Sequence, residues 1–98
     1  MMPVVLTPEA EIELLEASIY LEEQRPGLAH EFDSEIARLL RLIGEHPRLG
    51  ARFGNSRYRY VVSKRFSYVI YYEIKKAFVR VVAIPHGRRR LGYWRKRR

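Results

Sequence analysis

Apolar side chains recur with the period of a helix in the first half of this chain and with the period of a strand in the second. Val4-Val5-Leu6 is a short β-branched run that stops at Thr7-Pro8. Threonine there can cap a helix and proline fits its first turn, so a strand passing at once into a helix is expected. That helix runs from about Pro8 to Glu23, with Ile12, Leu15 and Ile19 on one stripe and Leu14, Ala17 and Leu21 widening it. The acids at 9, 11, 13 and 16 favour its N-terminal dipole and are expected to face solvent. Arg25-Pro26-Gly27 breaks the pattern, because proline disfavours helix in the residue before it and glycine is permissive. A second helix then carries Leu28, Phe32, Ile36, Leu39, Leu40 and Ile43, ending near Glu45-His46-Pro47. Gly50 and Gly54 mark a loop through about Ser56.

Beyond Ser56 the period becomes two. In Arg57-Tyr58-Arg59-Tyr60-Val61-Val62 the two tyrosines and Val62 fall on one face and the arginines on the other. Phe66 to Ile74 follows, then Lys75-Lys76 as a turn, then Ala77 to Ile84, which together predict a three-stranded antiparallel meander. Pro85-His86-Gly87 stops the last strand and releases a basic C-terminal tail. The order β-α-α-β-β-β is most simply an α+β fold, with the helical hairpin packed on one face of an antiparallel sheet. The other sheet face is then left open, carrying basic residues and alternate aromatics. At 98 residues and 47% hydrophobic content, residues 1–98 are expected to form one domain with its own core.

Charge adds a second division. Residues 1–46 hold ten of the eleven acids against three arginines, a local charge of −7; residues 47–98 hold sixteen bases against Glu73 alone, a local charge of +15. The run from His86 to Arg98 is too basic for solubility alone, and points to a polyanionic or acidic partner. The absence of cysteine excludes disulfides and thiolate metal sites, and no apolar run is long enough to span a bilayer or form a signal-peptide core, so a cytoplasmic location is expected. No membrane partner is expected, since the basic residues do not lie on an amphipathic interfacial helix. His30 and His46 lack ligand spacing, and no phosphate loop or nucleophile elbow is present, so neither metal nor cofactor is expected.

Several segments, in order, resemble the RelE/ParE superfamily, the toxins of bacterial type II toxin-antitoxin systems. They are Leu6-Thr7-Pro8-Glu9-Ala10, Arg25-Pro26-Gly27-Leu28-Ala29, His46-Pro47-Arg48-Leu49-Gly50, Arg57-Tyr58-Arg59-Tyr60, Phe66 to Glu73, and Val82-Ala83-Ile84-Pro85-His86-Gly87-Arg88-Arg89. The resemblance implies a small β-sheet toxin neutralised by a cognate antitoxin that wraps around it. RelE-like members cleave mRNA on the ribosome, whereas ParE-like members act on DNA gyrase and lack the ribonuclease residues. The Leu-Thr-Pro and Arg-Pro-Gly segments place this chain closer to ParE.

A metal-free ribonuclease needs a base for the 2′-hydroxyl, cations for the developing phosphate charge and an acid for the leaving oxygen. His86, Arg89 and Tyr93 are the candidates for those roles, with Arg88 and Arg90 beside them. Tyr68, however, occupies the strand position where RelE-like relatives imply a catalytic arginine. A histidine after a strand is also commonly a turn residue bonded to its own loop. In the non-catalytic reading, Arg57, Arg59, Lys64, Arg65, Arg88, Arg89, Arg90, Tyr93, Trp94 and Arg95 form a target- or antitoxin-binding surface. Tyr93-Trp94 can stack on a base, dock in an antitoxin pocket or cover an edge of the core. A plain nucleic-acid-binding module, suggested by charge alone, remains a third reading.

Overall fold

The computed structural model describes residues 1–97; Arg98, the last residue of the basic tail, lies outside the described residues. Strand β1 (Val4–Leu6) leads into helix α1 (Pro8–Gln24) and helix α2 (Leu28–Glu45). A 3-10 turn (Pro47–Leu49) and strands β2 (Ala51–Arg52), β3 (Tyr58–Ser63), β4 (Tyr68–Ile74) and β5 (Val79–Ala83) follow. The Thr7 hydroxyl accepts the Ala10 amide at 3.1 Å with Pro8 in the first turn, which is why α1 starts where the sequence places it. At the hinge, Gly27 takes φ 91°, a left-handed conformation open to glycine, and no hydroxyl or amide side chain caps α2. The Glu22 carboxylate does so instead, accepting the Gly27 and Ala29 amides at 3.1 Å. Those amide bonds, with Arg25 nearby, hold the Glu22 carboxyl below its ordinary range.

The sheet order is β1-β5-β4-β3-β2. The β3-β4-β5 meander is antiparallel as the sequence predicts, but the sheet is not wholly so. β1 lies parallel to β5, Val4 opposite Val79 and Leu6 opposite Val81, because the helical hairpin carries the chain across between them. Within the expected loop, Ala51 and Arg52 pair with Tyr60 and Arg59 and add an edge strand. Its anchor is Tyr72, whose hydroxyl donates to the Pro47 carbonyl at 2.6 Å and accepts the Gly50 amide at 2.9 Å. A Cβ at Gly50 would lie 2.6 Å from that hydroxyl, so glycine is required there by close approach.

The main core lies between helices and sheet: Ala10 and Ala17 from α1, Phe32, Ile36, Leu39 and Ile43 from α2, and Tyr68, Ile70, Tyr72, Val79, Val81 and Ile84 from the sheet. Helix α2 thus buries the stripe predicted for it. Helix α1 does not: Ile12, Leu15 and Ile19 are exposed, and the helix packs through Ala10, Leu14, Ala17 and Leu21. Two apolar stripes lie on opposite sides of α1, and the small residues of one of them let the backbone approach the sheet. Glu13 is the second correction on this helix, since its side chain is only 12% exposed rather than facing solvent.

The far face of the sheet is not open. The chain after β5 folds back over it, and Trp94, 1% exposed, packs with Tyr58, Val69, Tyr71, Val82 and Ala83 in a second core. The basic tail is therefore, over its described residues, a docked arm.

Candidate functional site

Two contacts hold the C-terminal arm. The Trp94 ring lies 4.6 Å from Tyr58, 4.7 Å from Tyr71 and 5.3 Å from Phe53, centroid to centroid, an aromatic box whose large apolar area leaves the indole Nε1 buried without a hydrogen-bond partner. On the helix side, Glu13 accepts from the Tyr93 hydroxyl, from the Ile84 amide at 3.0 Å and from the Arg97 guanidinium at 3.0 and 3.1 Å. Arg97 also donates to the Val82 carbonyl at 3.0 Å. One carboxylate thus ties α1, the end of β5 and the arm together. Burial by itself would raise the Glu13 carboxyl, but the bonds from Arg97, Tyr93 and Ile84 outweigh it and hold the group below its ordinary range. Burial, reinforced by the Glu13 carboxylate, pushes the Tyr93 phenol well above its ordinary value.

Beside this clasp opens a cleft of about 420 Å³ whose lining includes Glu13, Tyr68, Ile84, His86, Arg88 and Arg89. Three of the candidate residues therefore meet, His86, Arg88 and Arg89. Tyr93 is not in the lining; its ring sits under the Arg89 guanidinium at 4.0 Å and its hydroxyl is engaged by Glu13. A phenol donating to a carboxylate, with its ionisation suppressed, is poorly suited to accept a proton. His86 behaves as a turn histidine: its Nδ1 accepts the Arg88 amide at 3.2 Å, and its ring meets Tyr68 edge to face at 5.2 Å.

The remaining bases divide by whether the fold uses them. Arg57 and Arg80 hold the Glu73 carboxylate at 3.0 and 2.8 Å, with Lys75 at 3.3 Å; Glu73 is 2% exposed, and these cations keep its carboxyl low although burial opposes them. Arg59 donates to the Gly50 carbonyl at 2.9 Å and steadies the β2 edge. Arg65 pairs with Glu31 of α2. Arg95 lies over the Phe53 ring at 5.6 Å. Lys64, Arg88 and Arg90 are exposed, and no ion pair holds them among the described residues.

A family model for the ParE toxin of the type II toxin-antitoxin system parDE matches residues 4–91. The chain belongs to the ParE toxin family. Among solved structures it is similar to a chain of the chromosomal ParDE TA system from P. aeruginosa, with a TM-score of 0.76 and 17% identity. The match covers 88% of this chain and 96% of that one, a likeness of fold. No curated protein gives a significant sequence match.

In this ParE toxin, sequence reasoning missed two carboxylates that organise the site. Glu13 had a readable signal, since it stands three residues after Ala10 and four before Ala17, on the flank of the packed stripe. Glu73 did too: it is the lone acid among sixteen bases and lies mid-strand. Among the described residues no helix is long and apolar enough to cross a membrane, and no three potential ligands cluster to hold a metal.

Proposed function

We propose that this chain, acting as one toxin domain in the cytoplasm, arrests bacterial growth by acting on DNA gyrase and is neutralised by a cognate antitoxin. The observation that carries the proposal is the ParE family match across residues 4–91. The target-binding surface is assigned to the cations the fold leaves unpaired, Lys64, Arg88 and Arg90, together with Arg89 and Arg95 on the docked arm. Arg57, Arg59 and Arg65 support that surface from below through their internal contacts. A compact patch of this sign favours acidic protein partners and raises their association rate.

Induction in a bacterial host is expected to produce gyrase-linked DNA breaks and an SOS response. The product of an adjacent small open reading frame is expected to restore growth and to co-purify with the chain. Growth arrest with intact DNA and cleaved mRNA would reject the gyrase reading. One observation favours a second reading, a ribosome-dependent endoribonuclease: His86, Arg88 and Arg89 share a cleft. It requires mRNA cleavage on programmed ribosomes that His86→Ala abolishes, and the position of Tyr93 outside that cleft speaks against it.

A further inference from the structure

Helix α1 carries a surface that neither the core nor the basic patch uses. Ile12, Leu15 and Ile19 are 56%, 61% and 53% exposed, and their spacing of three and four residues makes them one ridge on the side of α1 opposite the buried Ala10 and Ala17. Single exposed aliphatic residues are ordinary, but an unbroken ridge on a helix that already has a packed face is not accounted for by folding. Glu9, Glu16 and Glu23 border one side of the ridge and Glu11 and Glu22 the other, all exposed. Helix α1 contains no lysine or arginine. Next to the ridge, a groove of about 250 Å³ runs towards α2, its floor formed by Leu14 and Leu15 and its rim by Glu11 and Asp33.

We infer that this ridge and groove are a docking surface for a cationic amphipathic helix of another protein, with aliphatic residues at i, i+3 and i+7 and lysine or arginine on both flanks. Charge selects the occupant. A second copy of α1 laid along the ridge would set carboxylates against carboxylates with no cation to separate them, and an anionic membrane or nucleic acid would meet the same rims. A basic-flanked helix satisfies both parts at once, its aliphatic side chains entering the groove and its cations reaching the glutamates. This surface is opposite in sign to the patch assigned to the target, so the inference does not depend on what the toxin acts on.

The test uses two synthetic helical peptides with the same leucine pattern, one flanked by lysine and arginine and the other by glutamate, and follows binding to the full-length protein by fluorescence anisotropy. The basic peptide is expected to bind, to weaken at least tenfold between 0.05 and 0.5 M salt, and to lose at least tenfold in affinity with Leu15→Ser or Ile19→Ser; these outward positions should leave the melting curve unchanged. Lys64→Glu should not weaken it. Failure of the basic peptide to bind, equal binding of the acidic twin, or insensitivity to both serine variants would overturn the inference. So would concentration-dependent dimerisation of the protein that Leu15→Ser abolishes, because a second copy would then be the occupant.

Discussion

Replacing Glu13 tests whether the C-terminal arm is held or merely adjacent. Glu13→Ala removes the acceptor for three donors. The Tyr93 hydroxyl and the Arg97 guanidinium, 20% exposed, can turn towards water, whereas the Ile84 amide belongs to a residue with no exposure and cannot. One orphaned amide costs about 1–3 kcal/mol and one lost charge-assisted bond about 1.5–3 kcal/mol, so the substitution should cost about 3 kcal/mol. For a chain near 100 residues, each kcal/mol lowers Tm by roughly 4–8 °C, giving a drop of about 15 °C. Glu13→Gln keeps an acceptor for Ile84 and should cost about half as much. Circular dichroism melts measure the loss, and Trp94, the single tryptophan, reports the arm directly: its emission should shift to the red as the aromatic box opens. The sign of the pH dependence follows from the lowered Glu13 carboxyl. Its contribution is fully present above the ordinary value of 4.5 and is lost as pH falls through the lower folded value, so the Glu13→Gln variant should show a smaller acid-side loss. A Glu13→Ala protein that melts within about 3 °C of the parent, with unshifted emission, would refute the clasp.

Further outcomes follow from the same structure. Trp94→Ala should cost about 3–5 kcal/mol by emptying the aromatic box, while Trp94→Phe should cost much less because the indole N–H has no partner to lose; urea unfolding measures both. Glu73→Ala should cost about 3–5 kcal/mol in the same assay, since it leaves Arg57, Lys75 and Arg80 facing one another without a counter-charge. Gly50→Ala should lower stability by about 1–3 kcal/mol, because its Cβ displaces the Tyr72 hydroxyl from the Pro47 carbonyl; a melt unchanged from the parent would show that the β2 edge yields without cost. Arg88→Glu with Arg90→Glu should relieve growth arrest while leaving Tm within a few degrees, and arrest at parental strength would remove those residues from the target surface.

The sequence by itself determined the elements. The spacing of Phe32, Ile36, Leu39 and Ile43 selects α2 and its buried face, Thr7-Pro8 fixes where α1 begins, and the alternation from Tyr58 to Ile74 gives the meander, because each depends on the geometry of neighbouring residues alone. Tertiary structure decided whatever depends on a surface distant in the chain. Periodicity marks two apolar stripes on α1 but cannot say which one the sheet accepts, and β1 finds its parallel place beside β5 only after the hairpin is closed. Ala51 and Arg52 are a strand only because β3 lies next to them, with Gly50 close enough to bond Tyr72. Composition makes the segment after His86 a charged tail; burial of Trp94 on one side of the sheet and the Glu13 carboxylate on the other make it an arm. The charge division is likewise bridged by Glu13 to Arg97 and by Glu31 to Arg65, so the cations left over, and with them the candidate surface, are known only once the ion pairs have formed.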